Sequence, residues 1–550
     1  RFQTPLAGVC IDTLGAKPEV CDGRLSWRAT IPMSATFVDW VGEAIIRAVL
    51  RLHNPGYRLV PGPFVSTSDT LIGDPKYGFP CPWITTHYRK KGVYTAYHSS
   101  ADTIDLLSLE GLAACAASMA GYLYYLANAG SREVTELATG ETERTLKRLR
   151  DGDTRSSPAE VRYLLDAHRV SINRLKRWIW GGNRSEILSH LGTCERRVRE
   201  AAGIRAKQGM RRRIMSGADR IPRRIAPLSP TLDNTPPPIA ERIRASKLSA
   251  WALFWADGNR RLTDIAEAIS CEQKMEVTIE QVTTFFDAHA ELGYVELIEP
   301  KETVSRKQLI ADLKVLGLKR GMDVMVHSSL SKIGHVIGGA DAVVDALLSV
   351  IGKRGTLMMP SFNHGAAFVF NPMTTPTTNG TIPDAVWRHP EAVRSLHPTH
   401  PVAAIGQKAE VFCHNHLEGG IWEQDSPIGK LIHSGGFILS LGVTHDATTA
   451  YHVAENSVPC RCIDPFGSND YIVEQDGTVR QVKGLAFRSG PCPIPPSQIG
   501  EALDERGLQR HGMVGRARAT FVKAIDLWTV HRALLKDECP TCTIQPRSRR

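Results

Sequence analysis

The sequence predicts an α/β fold on three observations from its second half. From residue 304 onward, apolar strand-like segments alternate with segments of helical periodicity. Segments 323–327, 356–359 and 436–443 have strand character, and 340–351 has the character of the helix between the first two. Polar residues follow these strands directly. Together these features imply a largely parallel sheet covered by helices on both faces.

The polar residues after the strands predict where a ligand binds. They are His327-Ser328-Ser329, Ser361-Phe362-Asn363 and Thr444-His445-Asp446. In sheets of this kind, ligands usually lie at the carboxyl ends of the strands. We therefore expect these side chains to share one edge of the sheet.

Length and cysteine usage bound the class of protein. A chain of 550 residues predicts about three domains. Its 12 cysteines are scattered, which favours a reducing, cytoplasmic setting over a disulfide scaffold. The first residues lack the basic and apolar regions of a signal peptide. The uncharged stretch 111–130 is weakly hydrophobic, so we expect a buried helix and no membrane partner.

The positive charge is concentrated in one segment. The chain carries a net charge of +10, and residues 196–224 alone carry +9. Such a segment could contact nucleic-acid phosphates or an anionic surface. No aromatic residues interleave with the arginines, which favours a solvated, flexible connector instead.

Composition divides the chain into four regions. Residues 1–130 mix strand-like and helical segments, 131–235 form a helical basic segment with a proline-rich linker, 236–300 form a small unit, and 301–550 form the α/β half. The small unit has the order of a winged helix, with helices over 239–255, 262–269 and 279–292 and a strand over 294–298. Its candidate recognition helix carries acidic residues and no Lys or Arg, which disfavours nucleic acid as a partner.

Four motifs of the last region resemble the aminoglycoside 3-N-acetyltransferase family. They are Val326–Leu330 with Gly338-Gly339, Asn371–Pro376, Arg394–His400, and Gly442–Asp446 running on to His452–Glu455. The resemblance implies an α/β acetyltransferase domain with a central mixed sheet. It also implies acetyl-CoA as co-substrate, an aminoglycoside or related amino sugar as cationic acceptor, and a link to antibiotic resistance.

The chemistry of acetyl transfer suggests roles for four residues. Amide formation needs an unprotonated amine, which a histidine near neutral pKa can provide and a carboxylate can support. We predict His397 as the general base, Glu455 as its carboxylate partner and His327 as a third member of the site. His452 shares a helix face with Glu455 at a spacing of three, and it either contacts substrate or only orients the helix. The resemblance places these residues together.

Other histidines are given no role. We expect His400, His414, His416 and His433 to lie at the surface. No metal motif surrounds them. Cys539 and Cys542 have redox-motif spacing but no preceding strand, so we take that spacing as incidental.

The cofactor phosphates need backbone donors and close approach. The turn Ser328, Ser329 and Leu330 can present N–H groups, and Gly334 permits close contact. By resemblance, this turn and the loop at Ser426 touch coenzyme A. No P-loop occurs here, which argues against ATP.

Residues 1–130 resemble the C-terminal part of a two-zinc aminopeptidase-like domain. Asp12, within Cys10–Gly15, and His98, within 97–103, resemble two of its metal ligands, and Ser68-Asp69 resembles another recurring element. The family's early ligands have no counterpart upstream, so the predicted zinc site is incomplete. Zinc is expected only if that domain were complete.

Three functions follow: an acetyltransferase, a zinc hydrolase lacking its first segment, or a nucleic-acid-binding regulator. An upstream segment with a His–Asp pair and paired glutamates would favour the hydrolase. Salt-dependent DNA binding would favour the regulator. We expect the first. The sequence leaves the acceptor, the position acetylated and the oligomeric state open.

Overall fold

The fold is taken from a computed structural model that describes most of the chain in two units. The described residues are 6–64, 73–75, 79–87, 96, 99–151, 157–176, 178–179, 184–203, 217–225, 232, 234–364, 367–458, 463–464, 470–474, 478–482, 487–488 and 494–538. The chain divides into compact units at 1–300 and 301–550.

The first unit begins with a small sheet and continues mainly as helices. Its elements are β1 (Cys10–Ile11), α1 (Pro18–Cys21), β2 (Arg24–Arg28), α2 (Asp39–His53), β3 (Arg58–Gly62), β4 (Trp83–Thr85), α3 (Leu109–Ala127), α4 (Ser131–Asp151), α5 (Pro158–Lys176), α6 (Arg184–Ala202), β5 (Ile221–Arg224), α7 (Pro237–Ala245), α8 (Leu262–Gln273), α9 (Ile279–Glu291) and β6 (Val295–Ile298). The sheet has the order β1-β4-β2-β3.

The uncharged stretch near residue 111 forms helix α3. The Ser108 hydroxyl caps it by accepting the Gly111 N–H. One face is buried through Ala114, Met119 and Tyr122, while Tyr124 on the other is 73% exposed. The prediction of a buried helix is therefore correct for one face only. No described helix combines the length and apolar character that a membrane span requires.

The expected flexible connector is wrong where the structure describes it. Residues up to 202 belong to α6, and Ile221–Arg224 form β5, which pairs antiparallel with β6. Arg220 is ion-paired with Asp287 at 2.9 Å, and Arg224 binds Asp74 in a buried pair at 2.6 Å. Arg220 and Arg224 thus form ion pairs within the first unit. The run 211–213 lies outside the described residues.

Residues 236–300 have the predicted order with one difference. The first helix, predicted over 239–255, ends at Ala245, and Ala250–Trp255 form a separate 3-10 turn. The break falls at Lys247, whose φ of +59° no helix accommodates. Helix α9 begins with a capping box between Thr278 and Gln281.

The second unit is built on one large sheet. Its elements are β7 (Thr303–Val304), α10 (Arg306–Leu316), β8 (Asp323–Ser328), α11 (Leu330–Ile333), β9 (His335–Val336), α12 (Gly339–Ile351), β10 (Thr356–Pro360), β11 (Val369–Phe370), α13 (Thr381–Trp387), β12 (Val393–Arg394), β13 (Val402–Gly406), α14 (Ala409–Cys413), α15 (Pro427–His433), β14 (Phe437–Leu441), α16 (Tyr451–Asn456), β15 (Ile463–Asp464), β16 (Asp470–Val473), β17 (Val479–Val482), β18 (Phe487–Arg488), α17 (Pro496–Glu505), β19 (Gln509–Val514), β20 (Ala517–Lys523) and α18 (Ala524–Glu538).

The large sheet is mixed, as the family resemblance implied, and not largely parallel. Its order is β12-β13-β10-β8-β14-β20-β19. Within the described strands, β10 and β14 run parallel to β8, and the other neighbouring pairs are antiparallel. Strands β19 and β20 are joined by a tight hairpin at Gly515, whose φ is +59°. The alternation of strand-like and helical segments in the sequence indicates the parallel strands, but it does not reveal the antiparallel strands on either side of them.

Helices cover both faces of this sheet, as the sequence predicted. Val324 and Val326 of β8 pack in one core with α10, α12 and α13. Met325, between them, packs in the other core with α14 to α18. This alternation is the two-residue period of a strand buried on both faces.

The chain order creates a switch point beside β8. The chain passes from β8 to β10 on one side and returns to β14 on the other. The carboxyl ends of these parallel strands therefore form one edge, where ligands commonly bind. Strand β13 runs the opposite way, so its amino end at Val402 lies at the same edge.

Candidate active site

Strand β8 delivers a buried histidine to the predicted edge. His327 is 3% exposed, and burial, with a smaller effect of nearby His445, lowers its pKa to about 3. Its Nε2 atom is buried, and among the described residues it has no hydrogen-bond partner. The hydroxyls of Ser328 and Ser361, at the ends of β8 and β10, are in the same state. A group of unsatisfied polar atoms at one sheet edge indicates a place for a ligand or ordered water.

Helix α16 joins His452 and Glu455. His452 Nδ1 lies 2.7 Å from Glu455 Oε2, and the carboxylate is buried. The segment is helical, so the spacing of three residues places both side chains on one face. A carboxylate bonded to Nδ1 fixes the tautomer of the neutral ring, with the proton on Nδ1 and the lone pair on Nε2.

His397 has a different environment from the one predicted. The backbone N–H groups of His400 and Thr399 point at its Nδ1 atom, at 3.0 and 3.3 Å. The proton of the neutral ring is then on Nε2, which leaves no lone pair for a substrate proton. Burial lowers the pKa of His397 to about 3. The carboxylate of Glu455, which we expected to partner His397, is bonded to His452. The loop after His397 folds back so that its N–H groups meet the imidazole of His397, and the motif Arg394–His400 does not reveal this geometry.

Two histidines expected at the surface pack beside His397, with His416 buried and His400 partly buried. The His416 ring lies 4.7 Å from that of His397, and its Nδ1 is 2.8 Å from the Ser395 hydroxyl. His400 packs 6.0 Å from His397, and its Nδ1 is bonded to the Thr399 hydroxyl. For His400 the available signal was its position between Pro398 and Pro401, directly before a buried strand. His414 and His433 are exposed, as predicted.

An aromatic wall, defined as Phe362, His400 and Trp422, stands beside His452. Phe362 and His400 have ring centroids 4.9 Å apart, and His400 and Trp422 are 5.3 Å apart. The Trp422 ring lies 4.8 Å from that of His452. The wall thus connects the loop around His397 with helix α16. No sequence motif named Trp422.

Arg394 ties two of the sequence motifs together. Its guanidinium donates to the carbonyl oxygens of Ser361, Pro372 and Thr375 at 2.9, 3.2 and 2.5 Å. It also lies over the Phe370 ring at 4.9 Å. Burial lowers its pKa to about 9. Arg394 therefore fixes the loop that carries Ser361 and was not predicted as a site residue.

The residues predicted to bind the cofactor occupy the same edge. The Ser329 N–H donates to Leu441 O at 2.9 Å, so this donor is used within the sheet. Leu330 begins α11, which ends at Gly334 with a φ of +97°. Ser426 caps α15 by accepting the Gly429 N–H at 3.1 Å. Helix α12 begins after Gly338, whose φ is +86°, and carries Asp341 in its first turn.

The predicted zinc ligands are not brought together by the described residues. The Thr13 hydroxyl donates to Asp12 Oδ1 at 3.0 Å. His98, Ser68, Asp69, Cys539 and Cys542 lie outside the described residues. Among the described residues, no group of three or more His, Cys, Asp or Glu side chains could hold a metal ion.

Comparison with known proteins identifies the second unit. A histidine bonded to a buried carboxylate, on the helix that follows β14, is suited to proton transfer in an enzyme site. The family model for aminoglycoside 3-N-acetyltransferase matches residues 325–536. By this match and those of the relatives below, the chain belongs to the aminoglycoside 3-N-acetyltransferase family and is an acyltransferase.

Relatives of this family align over most of their own length. The SPbeta prophage-derived aminoglycoside N(3')-acetyltransferase-like protein YokD of Bacillus subtilis is 34% identical over 250 residues, which is 40% of this chain and 90% of the relative. Aminoglycoside N(3)-acetyltransferase VII of Streptomyces paromomycinus is 36% identical over 257 residues, which is 41% and 88%. A solved structure described as AAC-IIIb binary with CoASH is 24% identical and covers 44% of this chain and 100% of that one, with a TM-score of 0.40. Family membership rests on the sequence matches.

Proposed function

We propose that the second unit transfers the acetyl group of acetyl-CoA to an amine of an aminoglycoside or a related amino sugar. The observation that carries this proposal is the 2.7 Å bond between His452 and Glu455, inside the region matched by the family model. His452, supported by Glu455, can act as the base that amide formation from a thioester requires.

In the proposed mechanism, His452 is the general base. The acceptor amine attacks the thioester carbonyl and forms the C–N bond while His452 Nε2 takes a proton from the nitrogen. Glu455 stabilises the resulting imidazolium. The tetrahedral intermediate then collapses, the C–S bond breaks, and the thiolate of coenzyme A receives the proton from His452. The acetylated amine and free coenzyme A are the products.

We assign the base to His452 instead of His397 because of the ring nitrogens. In His397 the Nδ1 atom is used by two backbone N–H groups, whereas in His452 the Nδ1 atom is held by a carboxylate. His397 then acts as a positioning residue that fixes the loop leading into β13. His327, neutral and with an unsatisfied Nε2 among the described residues, is proposed to contact the substrate directly.

The residues at the sheet edge fit acetyl-CoA as co-substrate. Ser328 has a buried hydroxyl without a partner in the described part of the chain, which suits a hydrogen bond to the ligand. The N-terminus of α12 offers a site for a phosphate, and Ser329, Leu330 and Gly334 form the turn before it. Ser426 is proposed to hold the opposite loop through its helix cap.

A cationic amino sugar is the proposed acceptor. The Streptomyces paromomycinus relative is named as an aminoglycoside N(3)-acetyltransferase. Residues 334–460 of this chain carry a net charge of −4, which favours a polycation. Acetylation of an aminoglycoside would remove a positive charge from the drug, and resistance in a cell expressing the protein is the expected consequence.

The direct test offers the full chain acetyl-CoA with a panel of aminoglycosides and simple amino sugars. Release of free thiol is measured, and products are checked by mass for one added acetyl group. Thiol release that depends on an amine acceptor supports the proposal. Thiol release at the same rate with no acceptor would indicate a thioesterase instead.

For the first unit we propose more limited functions. Residues 1–130 are proposed to be a domain of the two-zinc aminopeptidase-like type, in which Asp12 and His98 resemble two of the metal ligands. Residues 236–300 are proposed to be a winged-helix-like packing module. Supporting this, Asp287 and Glu291 of α9 are ion-paired with Arg220 and Arg242 of the same unit, and the helix offers acidic groups where DNA would need basic ones.

A further inference from the structure

Trp422 packs against the imidazole of the proposed base. The two ring centroids are 4.8 Å apart with planes inclined by 40°. A cation within about 6 Å of an indole face is attracted by the ring's negative face, and Trp gives the strongest such contact. Neutral His452 gains only packing from this neighbour, whereas protonated His452 gains electrostatic stabilisation as well.

The loop that carries Trp422 is held in place by hydrogen bonds. The backbone N–H of Trp422 donates to Glu423 Oε2 at 3.0 Å. The carbonyl of Glu423 accepts the Ser426 hydroxyl at 2.6 Å, and Ser426 in turn caps α15. The other side of the indole meets His400 and Phe362. The ring is therefore fixed from several directions and can restrain the imidazole beside it.

We propose that Trp422 is a positioning residue for His452 that holds the imidazole and stabilises the imidazolium formed during acetyl transfer. The proposal rests on the proposed function of His452. It divides the task between two neighbours: Glu455 holds the ring by its Nδ1 atom, and Trp422 holds it by its face.

Several titratable groups lie close to His452 or to its neighbours in the described part of the chain. The titratable groups near it are Glu455 and Tyr451 on its own helix, His400 on the loop before β13, Glu423 beside Trp422, and His531 on α18, which bonds to the Tyr451 carbonyl. Burial, followed by the charges of His364 and His452, lowers the pKa of His400 to about 3, so it stays neutral when His452 ionises.

The test compares Trp422→Phe and Trp422→Leu with the unchanged chain. Trp528→Phe is the matched control, because Trp528 also contacts a histidine, His433 at 5.6 Å, but on α18 outside the site. The ring protons of His452 are followed by NMR across pH without substrates, and kcat and KM are measured with acetyl-CoA and one acceptor.

We expect an ordered effect in both measurements. The titration midpoint of His452 should move to lower pH by roughly one pH unit in Trp422→Leu and by less in Trp422→Phe. The kcat should fall by about 5- to 30-fold in Trp422→Leu and by about 2- to 5-fold in Trp422→Phe. The KM for acetyl-CoA should change by less than about 2-fold, since uniform binding is not lost. Trp528→Phe should leave both unchanged.

Two results would overturn the proposal while leaving acetyl transfer itself intact. The first is an unchanged His452 midpoint and kcat in Trp422→Leu. The second is the same shift in Trp528→Phe. If Trp422→Leu does not fold, the comparison with Trp422→Phe decides, because phenylalanine keeps an aromatic ring but attracts a cation less strongly than tryptophan. A shifted midpoint in a protein that transfers no acetyl group would support the ring contact and reject the proposed function.

Discussion

At the scale of single residues, the bond between His452 and Glu455 gives the two ring nitrogens different tasks. Nδ1 is held by the carboxylate at 2.7 Å, and Nε2 is the atom that we propose takes the proton of the acceptor amine. His397, one loop away, uses its Nδ1 for backbone N–H groups at 3.0 and 3.3 Å. Two histidines in the same site are therefore suited to different roles, and hydrogen bonding distinguishes them where spacing does not.

Replacing Glu455 by Gln tests the carboxylate. The substitution keeps the size and hydrogen-bonding atoms and removes the charge. We expect kcat to fall and the acidic limb of the pH–rate profile to move to lower pH, because the imidazolium loses the anion that stabilises it. The measurement uses one acceptor across the same pH range for both proteins. A change only in the KM of the acceptor would mean that Glu455 binds substrate and does not support the base.

At the scale of secondary-structure elements, the end of β8, the loop before β13 and the loop after α14 bury three neutral histidines. The pKa of His327 and of His397 is lowered to about 3, mainly by burial, and burial also lowers the pKa of His416 well below its usual value. In the unfolded chain each would ionise near its ordinary value of about 6.5. Unfolding below that pH therefore takes up protons.

This proton uptake predicts how stability depends on pH. The free energy of unfolding of the second unit should be fully present above about pH 6.5 and should decrease as pH falls toward the folded values. The slope is at most about 1.4 kcal/mol per pH unit for each buried histidine. Denaturant unfolding at pH 7.5 and 5.5 measures it, with His414→Asn and His433→Asn as exposed controls. Equal stability at the two pH values would contradict the burial of these neutral rings.

Some of these elements could be predicted from the sequence, and others could not. The polar residues after β8, β10 and β14 predicted the site edge, and the spacing of His452 and Glu455 predicted their shared helix face. Both follow from the periods of strand and helix. The loop before β13 could not be predicted, because it reaches the edge only through an antiparallel strand. Trp422 gave no signal, and the motif that begins at Arg394 did not reveal the contacts of that side chain, since the contacts of both residues depend on how loops distant in sequence pack.

At the scale of the whole molecule, the chain combines an acetyltransferase-family unit with a first unit of different architecture. Only the second unit holds the His–Glu pair described here, and among the described residues no cluster could hold a metal ion. The proposed reaction uses the imidazole of His452, the carboxylate of Glu455 and the thioester of acetyl-CoA, and none of its steps uses a metal.

The proposed mechanism moves protons through His452 and Glu455, so we predict that acetyl transfer is insensitive to chelators. For these 550 residues we also predict no metal-dependent peptidase activity. The physical reason is that two zinc ions need more ligands than Asp12 and His98 supply. Hydrolysis of amino-acid anilides and thiol release are measured with and without a chelator. Anilide hydrolysis that disappears with chelator and returns with zinc would show that the prediction is wrong.

The proposed mechanism requires His452 to remove the proton from the acceptor amine during acetyl transfer. The most direct measurement is kcat of His452→Asn across pH with acetyl-CoA and one acceptor, alongside acetyl-CoA binding. We predict that kcat falls by about 10²- to 10⁴-fold, that the acidic limb of the profile disappears, and that acetyl-CoA binding is nearly unchanged. A variant that keeps more than about a tenth of the activity with the acidic limb in place would contradict the claim and return the role to His397.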